Sequence, residues 1–101
     1  MSSPSIDLQD ARLTFQQRRI VDALADAFPR RMHIKNIIEA VYFDDPQGGP
    51  DNAHNTVKVQ IFNARKRLVR EAWNISRRGV EPLGYYRLIA NDNEQQERSA
   101  A

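Results

Sequence analysis

The sequence predicts a mainly α domain that ends in a C-terminal β-hairpin. Three segments place apolar residues at helical spacing, a Pro- and Gly-rich loop separates the last two, and a stretch rich in β-formers follows them. At 101 residues, 41% of them hydrophobic, the chain is long enough for one domain with a modest core. We expect a flexible or strand-forming arm over residues 1–12, a folded domain over 13–90 and a disordered tail over 91–101.

The composition excludes several classes of protein. Cysteine is absent, so the chain has no disulfide framework, thiolate nucleophile or Cys-based zinc site. No apolar run approaches the roughly 18 residues of a membrane span, and the start of the chain lacks the basic and apolar regions of a signal peptide. We therefore expect a cytoplasmic protein with no membrane partner and no cofactor.

The first helix is predicted over Phe15–Ala27. Thr14 and Gln17 have the spacing of a capping box, in which a hydroxyl at the N-cap pairs with an amide three residues on. Pro29 ends the helix, because the residue before a proline is pushed out of helical geometry. The inward-facing stripe is expected to comprise Ile20, Val21, Leu24, Ala27 and Phe28.

The second helix is predicted over Ile34–Tyr42, with His33 at or beside its N-cap. The following segment, Phe43–Ala53, contains two prolines and a Gly pair and is therefore predicted to be a loop. Its aspartates lack the alternating spacing and closing Glu of a calcium-binding loop, so we expect no metal site there.

The third helix is predicted over Asn55–Trp73, with Asp51 or Asn52 as its N-cap, and it has two contrasting faces. One face is a narrow apolar stripe formed by Val57, Ile61, Ala64, Leu68 and Ala72. The opposite face is polar and basic and comprises Thr56, Val59, Gln60, Asn63, Lys66, Arg67 and Arg70. Five cations against one acid give this helix a charge of 5 − 1 = +4, whereas the whole chain carries only +2.

Two interpretations of this basic face remain open. A run of charge on a helix is usually a solvated surface. Alternatively, the helix recognises nucleic acid, with its amides and hydroxyl at base edges and its Arg and Lys side chains on phosphates. Val59 favours the second interpretation, because an apolar residue in the middle of this face suits a thymine methyl group.

The C-terminal hairpin is predicted from alternating residues over Trp73–Arg77 and β-formers over Tyr85–Ile89, joined by turn-forming residues at 79–84. Arg77 and Arg78 stand where the first strand meets the turn, so they are well placed to contact phosphate or the minor groove. A second apolar stripe on the third helix is expected to pack beneath the hairpin, and it comprises Phe62, Val69 and Trp73.

The order helix, helix, loop, basic helix, hairpin is that of a winged helix-turn-helix. In this arrangement the helix at 55–73 enters the major groove of DNA and the hairpin at 73–89 forms the wing. The segment from Leu13 to Leu88 resembles the effector domain of OmpR/PhoB-type response regulators. The resemblance rests on LTFQQRRIVDAL, HIKNIIEAVY, NTVKVQIFNARKRL and GYYRL. The most specific match, in the third helix, comprises Thr56, Val57, Val59, Ile61, Arg65, Lys66 and Leu68.

The resemblance implies a nucleoid-associated transcriptional regulator that binds specific double-stranded DNA sequences, often as two copies side by side on repeated sites. The residues expected to face bases are Thr56, Val59, Gln60 and Asn63. Those expected to contact phosphate or the minor groove are Arg65, Lys66, Arg67, Arg70, Arg77 and Arg78. We expect no enzymatic activity, since no nucleophile triad or Gly-rich phosphate loop is evident, and no attached receiver domain.

The chain departs from this family at two places. Leu83-Gly84-Tyr85-Tyr86 replaces the usual Arg-Gly-x-Gly-Tyr of the wing, and Phe62 and Asn63 occupy positions that are often Arg. The family's base preference therefore does not transfer to this chain. An alternative function is a winged-helix protein-interaction module acting on RNA polymerase or another regulator, because a fold alone does not fix function.

Overall fold

The computed structural model describes residues 3–77 and 79–91, which form four helices and two two-stranded antiparallel sheets. The helices are α1 (Pro4–Asp7), α2 (Phe15–Ala27), α3 (Ile34–Val41) and α4 (Ala53–Arg67). The strands are β1 (Met32–His33), β2 (Trp73–Ile75), β3 (Tyr85–Tyr86) and β4 (Leu88–Ala90). The prediction of a mainly α chain is confirmed. In this part of the chain, every helix is too short or too polar to cross a membrane.

The start of α2 is fixed by the predicted capping box. The Gln17 amide donates a hydrogen bond to the Thr14 hydroxyl at 3.3 Å, and the Thr14 amide donates to the Gln17 side-chain oxygen at 3.1 Å. These two bonds satisfy amides that have no partner within the helix. The helix ends at Ala27, just before the Phe28–Pro29 bond, as predicted.

The N-terminal arm is folded onto the domain. Ser3 caps α1, and Pro4 occupies the first turn, where its missing amide hydrogen is not needed. Leu8 and Ala11 are buried, and their carbonyl groups accept hydrogen bonds from Arg18 at 2.8 and 2.6 Å. The alternative of a strand in this arm is therefore wrong, since the local cap and proline favour a helical turn.

The helix α3 begins at a histidine cap, as predicted. The Lys35 amide donates a hydrogen bond to His33 Nδ1 at 3.2 Å. The helix ends at Val41, one residue before the predicted end, and Tyr42 is its C-cap. The preceding strand β1 was not predicted, because a two-residue strand carries no alternating pattern.

The helix α4 begins two residues before the predicted start and ends six residues before the predicted end. Asn52 occupies the N-cap but makes no side-chain capping hydrogen bond. At the other end, Asn91 donates hydrogen bonds to the carbonyl oxygens of Leu68 and Glu71, both at 2.7 Å. These bonds satisfy carbonyl groups that a continuing helix would have used. The prediction that Ala72 lies on the buried stripe is therefore wrong, and Ala72 is exposed.

The core lies where α2, α3 and α4 meet. Each helix contributes branched aliphatic side chains at helical spacing, and β2 and β4 add one residue each. The members of the hydrophobic core cluster with at most 3% exposure are Leu8, Ile20, Val21, Leu24, Ile34, Ile37, Val41, Val57, Ile61, Ala64, Leu68, Ile75 and Leu88. The apolar stripes predicted for the first and third helices therefore mark the interior, apart from Ala27 and Phe28, which are half-buried, and Ala72, which is exposed.

The returning segment 85–90 is shared between the two sheets. Tyr85 and Tyr86 pair with His33 and Met32, whereas Leu88–Ala90 pairs with Trp73–Ile75. The second strand of the predicted hairpin is thus shifted and divided at Arg87. Gly84 precedes this segment at φ +85°, and its carbonyl oxygen accepts a hydrogen bond from the Ile34 amide at 2.8 Å. A β-carbon at this glycine would lie 3.2 Å from His33 Nε2.

Candidate functional site

The outward face of α4 is the most basic surface of the described elements. Val57, Ile61 and Ala64 are buried against the other helices, so the opposite side of α4 faces solvent. The helix carries four cationic side chains and no carboxylate. Its exposed residues past the first turn are Lys58, Val59, Phe62, Lys66 and Arg67.

The four residues predicted to face bases lie on this surface and along its border with α2. Val59 is 47% exposed, whereas Thr56, Gln60 and Asn63 are half-buried. Gln60 already accepts a hydrogen bond from the side-chain amide of Gln17 at 3.1 Å. Asn63 makes no hydrogen bond with a described side chain or backbone group outside the helix. Val59 and Asn63, which are one helical turn apart, are therefore the two of these four residues whose side chains are least involved in contacts within the domain.

Arg65 differs from the other predicted phosphate-contacting residues, because it joins α4 to the strand segment. Its Nη2 donates a hydrogen bond to the Ser76 carbonyl oxygen at 2.6 Å, and its guanidinium carbon lies 5.8 Å from the centre of the Tyr86 ring. The Nε atom is buried and has no hydrogen-bond partner among the described residues. Burial lowers the pKa of Arg65, and repulsion from Arg77 lowers it further.

The remaining predicted phosphate-contacting residues lie at different places. Lys66 is exposed on α4, and its ammonium group lies 4.5 Å from the centre of the Phe62 ring. Arg67 is exposed and donates a hydrogen bond to the Arg12 carbonyl oxygen at 3.2 Å. Arg70 is exposed in the turn after the helix, so the prediction that it shares the helical face is wrong. Arg77 is exposed just after β2. The prediction for Arg78 falls outside the described residues.

Phe62 and Val69 were predicted to pack beneath the hairpin, and this prediction is wrong. Phe62 is 55% exposed and Val69 is 49% exposed. Because α4 ends at Arg67, the three predicted residues do not share one helical stripe. Only Trp73 packs inward: its ring meets Phe28 edge to face at 4.9 Å, and its indole nitrogen donates to Asp7 at 2.7 Å.

A groove of about 720 Å³ separates α4 from the segment 79–86, and we call it the basic groove. Its cationic side chains are Lys58, Arg65 and Arg77, and its exposed apolar side chains include Phe62 and Leu83. Sequence reasoning placed cations near the turn but missed the groove itself. The residues that form its two sides are separated in the sequence, and the predicted hairpin register did not bring them together.

A second exposed cluster lies where α2 meets the end of α3. Arg19 lies between the rings of Phe15 and Phe43, with its guanidinium carbon 4.3 and 4.7 Å from their centres. It donates two hydrogen bonds to Asp44 at 2.9 and 3.1 Å and one to the Val41 carbonyl oxygen at 2.7 Å. These bonds lower the pKa of Asp44 and raise that of Arg19. Both phenylalanines are at least 70% exposed, which a sequence pattern does not reveal.

The described residues contain no group of three or more His, Asp or Glu side chains arranged to hold a metal ion.

Comparison with known proteins does not identify the chain. No family model matches it, and neither a curated protein nor a solved structure gives a significant match.

Proposed function

We propose that this chain is a winged helix-turn-helix domain that binds specific sequences of double-stranded DNA and regulates transcription. One observation carries the proposal. The helix α4 carries four cations, three of them exposed, and no carboxylate, while its apolar stripe is held in the core by α2 and α3. A protruding basic helix with this support fits the major groove, which is wide enough to admit a helix.

The arrangement of the elements supports the same proposal. The order α2, β1, α3, α4, β2, β4 matches helix, strand, helix, recognition helix and a two-stranded wing. The strand β3 pairs with β1, so the returning segment ties the proposed wing to the helical layer. In this arrangement Val59 and Asn63 face base edges, while Lys66 and Arg67 on α4 and Arg77 beside the wing contact phosphates.

The resemblance to OmpR/PhoB-type effector domains is part of this proposal. It adds the expectation that two copies bind side by side on repeated half-sites. The spacing and symmetry of the preferred DNA sequence would report this assembly directly, because half-sites bound by a pair of domains repeat at the helical pitch of DNA.

Selection of bound duplexes from a random pool tests the proposal. We expect enrichment of one motif, and weaker binding of a scrambled duplex at the same salt concentration. The charge variant Lys66→Gln/Arg67→Gln should reduce the magnitude of the log-affinity against log-salt slope by up to about 1.8, at roughly 0.9 for each lost phosphate contact.

A matched variant, Arg30→Gln/Lys35→Gln, removes two exposed cations that lie outside α4. We expect its salt slope to equal that of the parent. The proposal fails if no duplex is enriched above the scrambled sequence, or if both charge variants bind DNA as the parent does.

The exposed cluster around Arg19 favours a second candidate function, the docking of a protein partner. Phe15 is 70% exposed and Phe43 is 73% exposed, and the cation between them is neutralised by Asp44. Exposed aromatic side chains beside Arg are typical of residues that dominate binding energy at protein interfaces. A partner such as RNA polymerase would bind this surface while α4 remains free.

Binding of purified RNA polymerase to the parent and to Phe15→Ser/Phe43→Ser tests this second function. We expect the double variant to lose binding while its affinity for DNA is unchanged. Ile6→Ser is the control, because Ile6 is 67% exposed and lies outside the cluster. Equal binding by all three proteins would exclude the cluster as a docking surface.

A further inference from the structure

The basic groove contains cationic groups that the domain itself does not use. The side chains of Lys58 and Arg77 line the groove and have no hydrogen-bond or ion-pair partner among the described residues. Arg65 uses one nitrogen on Ser76, and its buried Nε has no partner within the same part of the chain. Three positive side chains therefore converge on one space with little internal compensation.

Among the described residues that line the groove, the one carboxylate is that of Glu81, and it is already neutralised. Glu81 accepts a hydrogen bond from Arg87 Nε at 2.6 Å, and Arg31 lies 4.0 Å from its other oxygen. Its side chain is only 8% exposed, so these two arginines, rather than solvent, compensate its charge. The described side chains that line the groove therefore carry a positive formal charge, since three cations face one carboxylate that is already paired.

The walls of the groove are largely apolar. Phe62 forms one side from α4, and Pro82, Leu83 and Tyr86 form the other from the opposite segment. Leu83 is 93% exposed and Phe62 is 55% exposed, so both retain apolar area that a bound molecule would cover. A volume of about 720 Å³ falls within the range of about 300–1,000 Å³ that small-molecule sites occupy.

We propose that the basic groove binds a small organic anion that has an aromatic body and one carboxylate or sulfonate group. The acid group lies among Lys58, Arg65 and Arg77, and the ring system lies between Phe62 and Leu83. Cations alone suit a bare phosphate, but a bare phosphate leaves the apolar walls uncovered. An amphipathic anion satisfies both parts of the groove, since charge-assisted hydrogen bonds and aromatic packing act on different parts of it.

The proposed site has a regulatory consequence that rests on the proposed function. Under that function, DNA backbone approaches the space between α4 and the wing. A bound anion would neutralise Arg77 and Lys58 and occupy part of this space. The ligand would therefore compete with DNA, whereas binding of the ligand itself needs no DNA.

Fluorescence titration of the full chain with anilinonaphthalene sulfonate tests the site directly. Its uncharged relative phenylnaphthylamine has the same aromatic skeleton and serves as the probe for apolar binding alone. We expect one sulfonate bound per chain, at least about tenfold more tightly than the neutral probe, because a charged hydrogen bond contributes about that factor. Equal affinity for the two probes, or binding of several sulfonates, would overturn the proposal.

Two charge variants locate the site. Lys58→Gln/Arg77→Gln should weaken sulfonate binding at least about tenfold and leave binding of the neutral probe unchanged. Arg12→Gln/Arg30→Gln removes two cations that do not line the groove and should bind both probes as the parent does. Equal sulfonate affinity in the two charge variants would show that the groove is not the site.

A DNA competition separates this inference from the proposed function. Sulfonate added to the chain bound to its selected duplex should release the DNA in parallel with groove occupancy. If the sulfonate binds but no duplex is ever selected, the groove stands and the DNA-binding proposal fails. If a duplex is selected but the sulfonate does not bind, the groove inference fails alone.

Discussion

At the residue scale, Arg65 and Lys66 are neighbours in the sequence, but their side chains differ in burial and in the groups they contact. Arg65 is held by the Ser76 carbonyl and the face of Tyr86, and burial lowers its pKa. Lys66 is exposed, and its ammonium group lies over the ring of Phe62. Lys66 is therefore expected to contact DNA phosphate, whereas Arg65 is expected to stabilise the fold while it lines the basic groove.

Replacing each of these cations with Gln separates the two roles. Arg65→Gln should lower the free energy of unfolding by about 1–3 kcal/mol, because the buried Ser76 carbonyl group loses its charged donor. Lys66→Gln should change stability by less than about 0.5 kcal/mol and flatten the salt slope of DNA binding by roughly 0.9. Urea unfolding and a salt titration measure the two effects. Equal loss of stability in both variants would contradict the assignment.

Asn63 carries the sharpest prediction about sequence discrimination. Asn63→Ala should reduce the preference for the selected duplex over a single-base variant by about 1–3 kcal/mol, as loss of an amide–base contact does. Non-specific affinity should change little, because Asn63 carries no charge. Gln60→Ala is a less clean test, since Gln17 is 3% exposed and loses its side-chain partner. Uniform weakening on all duplexes would mean that Asn63 does not contact bases.

The sequence predicts which of these residues lie on the basic face of α4, but not which of their side chains form hydrogen bonds within the domain. Helical spacing alone predicts that Val59 and Lys66 are exposed, and both are. The partners of Gln60 and Arg65 are 43 and 11 residues away, so local periodicity contains no information about them. Side-chain engagement is set by tertiary packing, which a single sequence does not specify.

At the scale of elements, α4 provides an internal control for packing, because Ile61 and Phe62 are adjacent but differ in burial. Ile61 is 1% exposed and Phe62 is 55% exposed. Ile61→Ala should cost about 2–5 kcal/mol of unfolding free energy, as a large-to-small core change does. Phe62→Ala should cost less than about 1 kcal/mol. Thermal or urea unfolding measures both, and the reverse order would mean that α4 is rotated.

The ends of elements were harder to predict than their existence. The capping box at Thr14 fixes α2 locally, and both ends of that helix were predicted to the residue. The end of α4 depends on Asn91, which binds the Leu68 and Glu71 carbonyl groups from far along the chain. The pairing of β1 with β3 likewise joins segments that only the folded chain brings together. The end of a helix or strand is therefore predictable from the sequence when the residues that fix it are close neighbours in the chain.

At the scale of the whole molecule, the Arg19–Asp44 pair links α2 to the loop after α3. Its carboxylate has a lowered pKa in the folded chain, so it stabilises the fold above the ordinary Asp value of about 3.9. That contribution is lost as pH falls through the folded-state pKa. Asp44→Asn should lower the melting temperature at neutral pH, and the difference from the parent should vanish in acid. Melting curves across this range provide the measurement.

Asp22 is the control of opposite sign. Burial raises its pKa, so its charged form is disfavoured by folding above the ordinary Asp value. Asp22→Asn should therefore not lower the melting temperature at neutral pH. If the melting temperatures of Asp44→Asn and the parent still differ at low pH, the effect of Asp44 on stability is not electrostatic.

The division of the segment 85–90 between two sheets has a consequence for how the domain is made. Chains leave the ribosome from the N-terminus, so all four helices emerge before the segment 85–90. The two strands of this segment, β3 and β4, pair with β1 and β2. Until the segment 85–90 arrives, the core lacks Leu88 and the edges of β1 and β2 are unpaired. Unpaired edges are templates for association with other chains. The nascent domain is therefore most exposed to misassembly in the short interval before its last strand is translated.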